Sequence, residues 1–132
     1  MSETSENRKL RFVILFHEFP DGDSRKSHWD LMLEKESELL TWRLDDCPSE
    51  IAAIEGQVID FTVLPNHRLE YLEFEGPISG DRGSVKRIKE GTYEWNDELT
   101  HQPVTLKMKS VTWILEFLED DQVKLKVFNQ VP

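Results

Sequence analysis

Apolar positions along this chain recur mostly at strand spacing. Leu10 to Phe16 is apolar almost throughout, the pattern of a strand buried on both faces. From His28 to Glu34 the chain alternates. Trp29, Leu31 and Leu33 fall on one face, and His28, Asp30, Met32 and Glu34 fall on the other, because successive strand side chains point to opposite sides. Lys35 to Ser37 predicts a turn into a further strand, Glu38 to Leu44. Toward the C-terminus Val104, Leu106 and Met108 share a face, as do Val111, Trp113, Leu115 and Phe117, and then Val123, Leu125 and Val127. The acidic stretch Glu119-Asp120-Asp121 between the last two reads as a hairpin loop. One segment predicts a helix, Pro48 to Glu55. Pro48 suits a first helical position, Ile51 and Ile54 share a face, and Gly56 is a good terminator. Short strands separated by turn signals, with one or two short helices, predict a mainly-β fold, a small β-barrel.

Composition narrows the class. Residues 1–8 are polar and predict a disordered tail, which leaves 9–132 for one barrel domain. A chain of 132 residues can bury roughly two thirds of its unfolded surface and needs no staple to fold. The single cysteine, Cys47, excludes an internal disulfide and suits a reducing, cytoplasmic setting. The N-terminus has no apolar signal-like run, and no segment approaches the ~20 apolar residues of a membrane helix, so no membrane partner is expected. Sixteen basic residues stand against 26 acidic ones, a net charge of −10. A protein that grips a long duplex carries a basic stripe to displace counterions; this balance argues against one but allows a local basic pocket. The basic residues gather at Arg8, Lys9 and Arg11, at Arg25 and Lys26, and at Arg82, Lys86, Arg87 and Lys89, and read as solvated strand faces.

Against this background a few residues can carry chemistry. His28 and Asp30, two apart on one strand face, project side by side and could ligate one metal. His17, at the end of the first strand, can supply a third ligand. Two histidines and one carboxylate leave open positions, which suits a divalent transition metal with room for water or substrate. The H-x-D pattern alone also occurs by chance on polar strand faces. His67 and Tyr71, just before Phe74-Glu75-Gly76, form a second candidate place. A histidine there could bind phosphate or act as a general acid; the plainer reading is a surface histidine at a turn. His101 reads as a loop residue without a role. Trp29, Trp42, Trp95 and Trp113 read as core. Cys47 has no basic neighbour in sequence to make it a thiolate nucleophile.

The order of segments says more than any one motif. The chain runs RFVILFHE, HWDLMLE, LLTW, NHRLEYLEFEGPI, a glycine-bearing turn, then GTYEW. Over roughly residues 11 to 95 this series resembles the 3′-phosphoesterase domain of DNA ligase D. The resemblance implies a small β-barrel with a metal centre at one end. It also implies a manganese-dependent hydrolase of DNA repair, one that removes a terminal ribonucleoside and then a 3′-phosphate from nucleic acid ends. His17, His28 and Asp30 match the family's metal ligands, for manganese or another divalent transition metal. His67 matches the histidine that engages the scissile phosphate, and Tyr71 the tyrosine beside it. Three features depart from the family. A longer loop, Glu18 to Ser27, separates the first two histidines. Met32 stands where the family has arginine, and methionine cannot form charge-assisted bonds to phosphate. A family lysine falls near Asp46, and an arginine near Ile59. The expected function is a metal-dependent phosphoesterase with a weakened phosphate clamp, taking a nucleic acid 3′ end or another phosphoester. Replacement cations could come from Arg25, Lys26, Arg43 or Arg82. One alternative is a noncatalytic metal-binding or protein-binding module whose partners are DNA repair proteins. Another is a non-haem iron oxygenase, which shares the H-x-D plus distant histidine pattern.

Overall fold

The computed structural model describes residues 9–96 and 102–128. The expected tail and His101 lie outside them. The strands are β1 (Leu10–Glu18), β2 (His28–Lys35), β3 (Glu38–Leu44), β4 (Gln57–Arg68), β5 (Gly76–Pro77), β6 (Ser84–Trp95), β7 (Val104–Lys107), β8 (Thr112–Leu118) and β9 (Gln122–Phe128). A one-turn helix, α1 (Glu50–Ala53), precedes β4, and a 3-10 turn (Leu69–Leu72) follows it. Every pairing is antiparallel, in the order β1-β2-β3-β4-β9-β8-β7-β6. The pairing of β1 with β6 closes eight strands into a barrel. β5 only extends an edge of β6, with Gly76 opposite Val85.

Strand alternation sorts the apolar side chains into two cores. Phe12 and Ile14 of β1, Leu31 and Leu33 of β2, Ile59 of β4 and Trp113 of β8 meet inside the barrel with their neighbours. Trp29, Trp42 and Trp95 pack against them while partly buried. The lumen is filled: the residual void beside Ile14, Leu31, Pro48 and Trp113 is about 10 Å³, no more than one water needs. The second core lies on the outer wall. Val13, Leu15, Met32 and Leu39 are covered there by Leu72 of the 3-10 turn and by Val85 of β6. β1 therefore carries a core on each face, which is why Leu10 to Phe16 is apolar at nearly every position.

Local chemistry accounts for the joints. Asp120 and Asp121 at the β8–β9 turn have positive φ (64° and 57°), a backbone state that short polar side chains tolerate. β4 bulges between its pairings Leu39↔His67 and Thr41↔Leu64. Pro65, which has no N–H to give a ladder, sits inside that bulge. Gly91 lets β6 pass close to β7, since a Cβ there would collide with the Lys107 carbonyl.

The helix is shorter than its pattern implies. It spans four residues and is capped by Ser49, whose Oγ accepts from the Ala52 amide at 3.3 Å. Pro48 lies ahead of the cap, reaches the lumen end and is buried. Ile51 and Ile54 do not seat on a core; they are 83% and 64% exposed, while Ala53 is fully buried. A single helical turn can turn only one side chain inward, and Ala53 takes that place. Among the described residues no helix is long and apolar enough to cross a membrane.

Candidate metal centre

The β1–β2 register sets His17 directly opposite His28, and Leu15 opposite Asp30. Cross-strand partners and residues two apart share a face. His17, His28 and Asp30 therefore converge on the outer wall, where β1 ends and β2 begins, and not in the lumen. One ligand atom from each lies within 4.8 Å of the other two. His28 Nε2 is 3.2 Å from Asp30 Oδ1, and His17 Nδ1 is 3.6 Å from Asp30 Oδ2. Asp30 is only 2% exposed, and among the described residues its Oδ1 has no hydrogen-bond partner.

Two backbone carbonyls fix which ring nitrogens face the carboxylate. His17 Nε2 lies 2.7 Å from the Arg82 carbonyl oxygen, and His28 Nδ1 lies 3.1 Å from that of Lys26. A carbonyl can only accept, so each of these nitrogens carries its proton and donates. In the neutral rings the other nitrogens, His17 Nδ1 and His28 Nε2, then present lone pairs toward a buried carboxylate. Three acceptor groups meet around one point, and a cation is what such a point can hold. Burial works against charge on His17, but the Asp30 carboxylate 3.6 Å away and the bond to the Arg82 carbonyl outweigh it and hold its pKa above the ordinary value. Burial likewise works against charge on Asp30, and the two imidazoles beside it outweigh that and hold its pKa below the ordinary value.

The longer Glu18 to Ser27 loop packs onto this cluster. Phe19 stacks on His17 with ring centroids 4.6 Å apart, and the Phe19 amide donates to Ser27 Oγ at 3.0 Å. The Arg25 guanidinium lies 4.5 Å from the Phe19 ring centroid and forks onto Asp23 at 2.8 and 3.0 Å. Those Arg25 bonds lower the Asp23 pKa to about 2.

A cavity of about 330 Å³ adjoins the cluster, lined by His17, Asp30, Met32, His67, Tyr71 and Arg82 among others. The β4 bulge sets His67 there, with Nδ1 donating to the Pro65 carbonyl at 2.9 Å. Tyr71 meets His67 edge-on at 5.7 Å and Phe74 at 5.8 Å. All five residues singled out in the sequence thus belong to one place: three form the cluster, and His67 and Tyr71 stand on the wall beside it.

The positions tied to the phosphate clamp divide. Met32 borders the cavity at 1% exposure. Asp46 is exposed in the loop after β3. Ile59 faces the lumen at 1% exposure, so that position cannot present a side chain to this cavity. Of the four replacement cations, only Arg82 lines it. Arg25 is held by Asp23, Arg43 Nε lies 3.4 Å from Asp45, and Lys26 contributes a carbonyl. Sequence reasoning missed Asn66 and Arg68, which also line the cavity, and Phe19. Phe19 was within reach, since it lies two residues beyond His17 along an extended segment. Asn66 and Arg68 flank His67, but the bulge that gathers all three leaves no mark in the alternation.

The sequence profile described as the DNA ligase D 3′-phosphoesterase domain matches residues 21–126. The chain belongs to this family. The match runs from the loop before β2 into β9 and contains His28, Asp30, His67 and Tyr71. His17 lies ahead of the matched span and joins the site through the β1–β2 register. No curated protein matches the chain. DNA ligase D 3′-phosphoesterase domains are metal-dependent and act on nucleic acid 3′ ends.

Proposed function

We propose that this barrel is a metal-dependent phosphoesterase that removes a phosphate or a ribonucleoside from nucleic acid 3′ ends. His17 Nδ1, His28 Nε2 and Asp30 hold a divalent ion, with manganese the first to try. The convergence of three acceptor groups on one buried point, with both ring tautomers set by carbonyls, carries this reading. The donor set fits, because imidazole and carboxylate together suit divalent transition metals. When bound, such an ion supplies Lewis acidity at a phosphoryl oxygen and lowers the pKa of a water.

The chain's own groups do the rest. The Lys26 and Arg82 carbonyls hold both imidazoles in orientation, and Asp30 offsets positive charge. His67 is tied through Nδ1 to Pro65, which leaves Nε2 for the substrate; once protonated it donates to a phosphate oxygen or to the leaving group. Tyr71 supports the His67 ring and offers a hydroxyl beside it. The outer-wall core under the cavity, Met32, Leu72 and Val85, keeps water from the floor. The net charge of −10 suits a protein that takes an end and not a length of duplex.

The buried Met32 favours the second reading, a noncatalytic module that still holds a metal, since that place supplies no charge-assisted donor. The oxygenase reading loses weight once the chain stands in a phosphoesterase family. Manganese calorimetry, paired with phosphate release from a 3′-phosphorylated primer, separates these readings. Wild type should bind one ion and release phosphate only with metal. His28→Ala should lose both properties while keeping its fold. His67→Ala should bind the ion and lose on the order of 10²- to 10³-fold in rate, by analogy with a lost oxyanion donor. Metal binding without turnover would establish the noncatalytic module, and retained stoichiometric binding in His28→Ala would sink the ligand assignment.

A further inference from the structure

We infer that Arg82 is the phosphate-holding cation of this chain, so that the clamp missing at Met32 has moved to the turn between Ser79 and Gly83. This rests on the phosphoesterase reading. Arg82 lines the same cavity as His17, Asp30 and His67, and its charge is unspent. Six arginines stand among the described residues, and five face a carboxylate. Arg11 meets Glu73 at 2.7 Å, Arg25 meets Asp23 at 2.8 Å, Arg43 meets Asp45 at 3.4 Å, Arg68 meets Glu70 at 3.6 Å and Arg87 meets Glu90 at 3.4 Å. Among the described residues, Arg82 has no carboxylate within 4.0 Å. Its Nε donates to the Ser79 carbonyl at 2.7 Å and its Nη2 to Ser79 Oγ at 3.3 Å, both neutral partners. In a chain with 26 acidic and 16 basic residues, an arginine at this cavity with only neutral partners among the described residues stands out. Even adjacent Asp81 is drawn elsewhere, 3.9 Å from Arg25.

The turn also fixes Arg82 against the cluster. Its carbonyl accepts from His17 at 2.7 Å. Gly83, at φ +79°, packs so closely that a Cβ would lie 2.5 Å from the Glu18 carbonyl oxygen and 3.1 Å from the Phe19 ring. A guanidinium has five N–H donors. Ser79 engages two, and three remain for a tetrahedral oxyanion. The ligand class is a terminal phosphate, gripped from the turn side while His67 approaches from β4.

The test uses the full chain loaded with manganese, inorganic phosphate as the binding probe and a 3′-phosphorylated primer as substrate. Arg82→Gln should weaken phosphate binding and lower kcat/KM by roughly 10- to 100-fold, the worth of a charge-assisted hydrogen bond. Manganese affinity should hold, because His17 is bonded to the backbone carbonyl and not to the side chain. Arg82→Lys should fall between the two, keeping charge without the fork. Arg11→Gln, which removes an arginine paired outside the cavity, should match wild type. Unchanged phosphate affinity and kcat/KM in Arg82→Gln would overturn the inference while leaving the phosphoesterase reading intact. If wild type releases no phosphate yet binds it through Arg82, that reading fails and Arg82 remains an anion-holding residue. Wild type that neither binds nor releases phosphate would overturn both.

Discussion

At the scale of single residues, the site depends on which nitrogen of each imidazole carries a proton. His17 has its pKa held above the ordinary value, and a metal at Nδ1 must displace that proton. Below the folded pKa the proton occupies the place; above it the lone pair is free. Apparent manganese affinity should therefore climb as pH rises through the folded pKa of His17 and level off beyond it, which calorimetry across a pH series would show. A flat profile would mean that the proton on His17 does not compete. Met32 allows a second prediction. It is 1% exposed and packs with Val13, Leu15 and Leu39, so Met32→Arg must thread a long side chain up to the cavity. It should raise phosphate release while costing about 1–3 kcal/mol in stability through overpacking, read from urea unfolding. No gain in rate would mean that the clamp position on β2 no longer serves the substrate. The pairing of His28 with Asp30 was legible from alternation alone. The tautomers were not, because one depends on the Arg82 carbonyl, distant in sequence from His17, and the other on how the loop before β2 turns the Lys26 carbonyl toward His28.

At the scale of elements, loops do the aiming. The Glu18 to Ser27 insertion does not spread the two histidines apart; it folds back and stacks Phe19 on His17. Phe19→Ala should weaken manganese binding several-fold, since such a ring contact is worth about 0.5–1.5 kcal/mol, with the barrel intact by circular dichroism. Unchanged affinity would make Phe19 a bystander. The clean alternation in β7, β8 and β9 was readable because one face fills the lumen and the other meets solvent. The 12-residue strands β4 and β6 were not. β4 pairs with β9 over Gln57–Asp60 and then with β3 over Phe61–Arg68, and it leaves Val58 and Val63 exposed at 47% and 66%. Pro65 also hides it, since proline argues against a strand until a bulge is allowed. That same bulge sets His67 against the cavity, so the element hardest to see is one that builds the site.

At the scale of the whole molecule, the barrel stores its stability in the lumen and presents its chemistry on the outer wall. Trp113 is fully buried at the centre of the inner core. Trp113→Ala should cost about 3–5 kcal/mol, seen as a lower urea midpoint for the whole barrel, while Ile51→Ser, at an 83% exposed position, should stay within about 0.5 kcal/mol. Equal losses would mean that α1 carries more of the fold than its exposure implies. The two cores share β1 and β2, so the ligand-bearing strands are held from both sides.

One residue, Arg82, joins both ends of the proposed chemistry: its carbonyl orients His17, and the residue lines the cavity. Binding events at the two places are then thermodynamically linked. An ion that stiffens His17 also stills the turn, so an anion arriving afterwards has less ordering to impose. Reciprocity requires the anion to tighten the ion by the same factor. The barrel should therefore hold its metal more firmly while phosphate is aboard and loosen it once the product leaves.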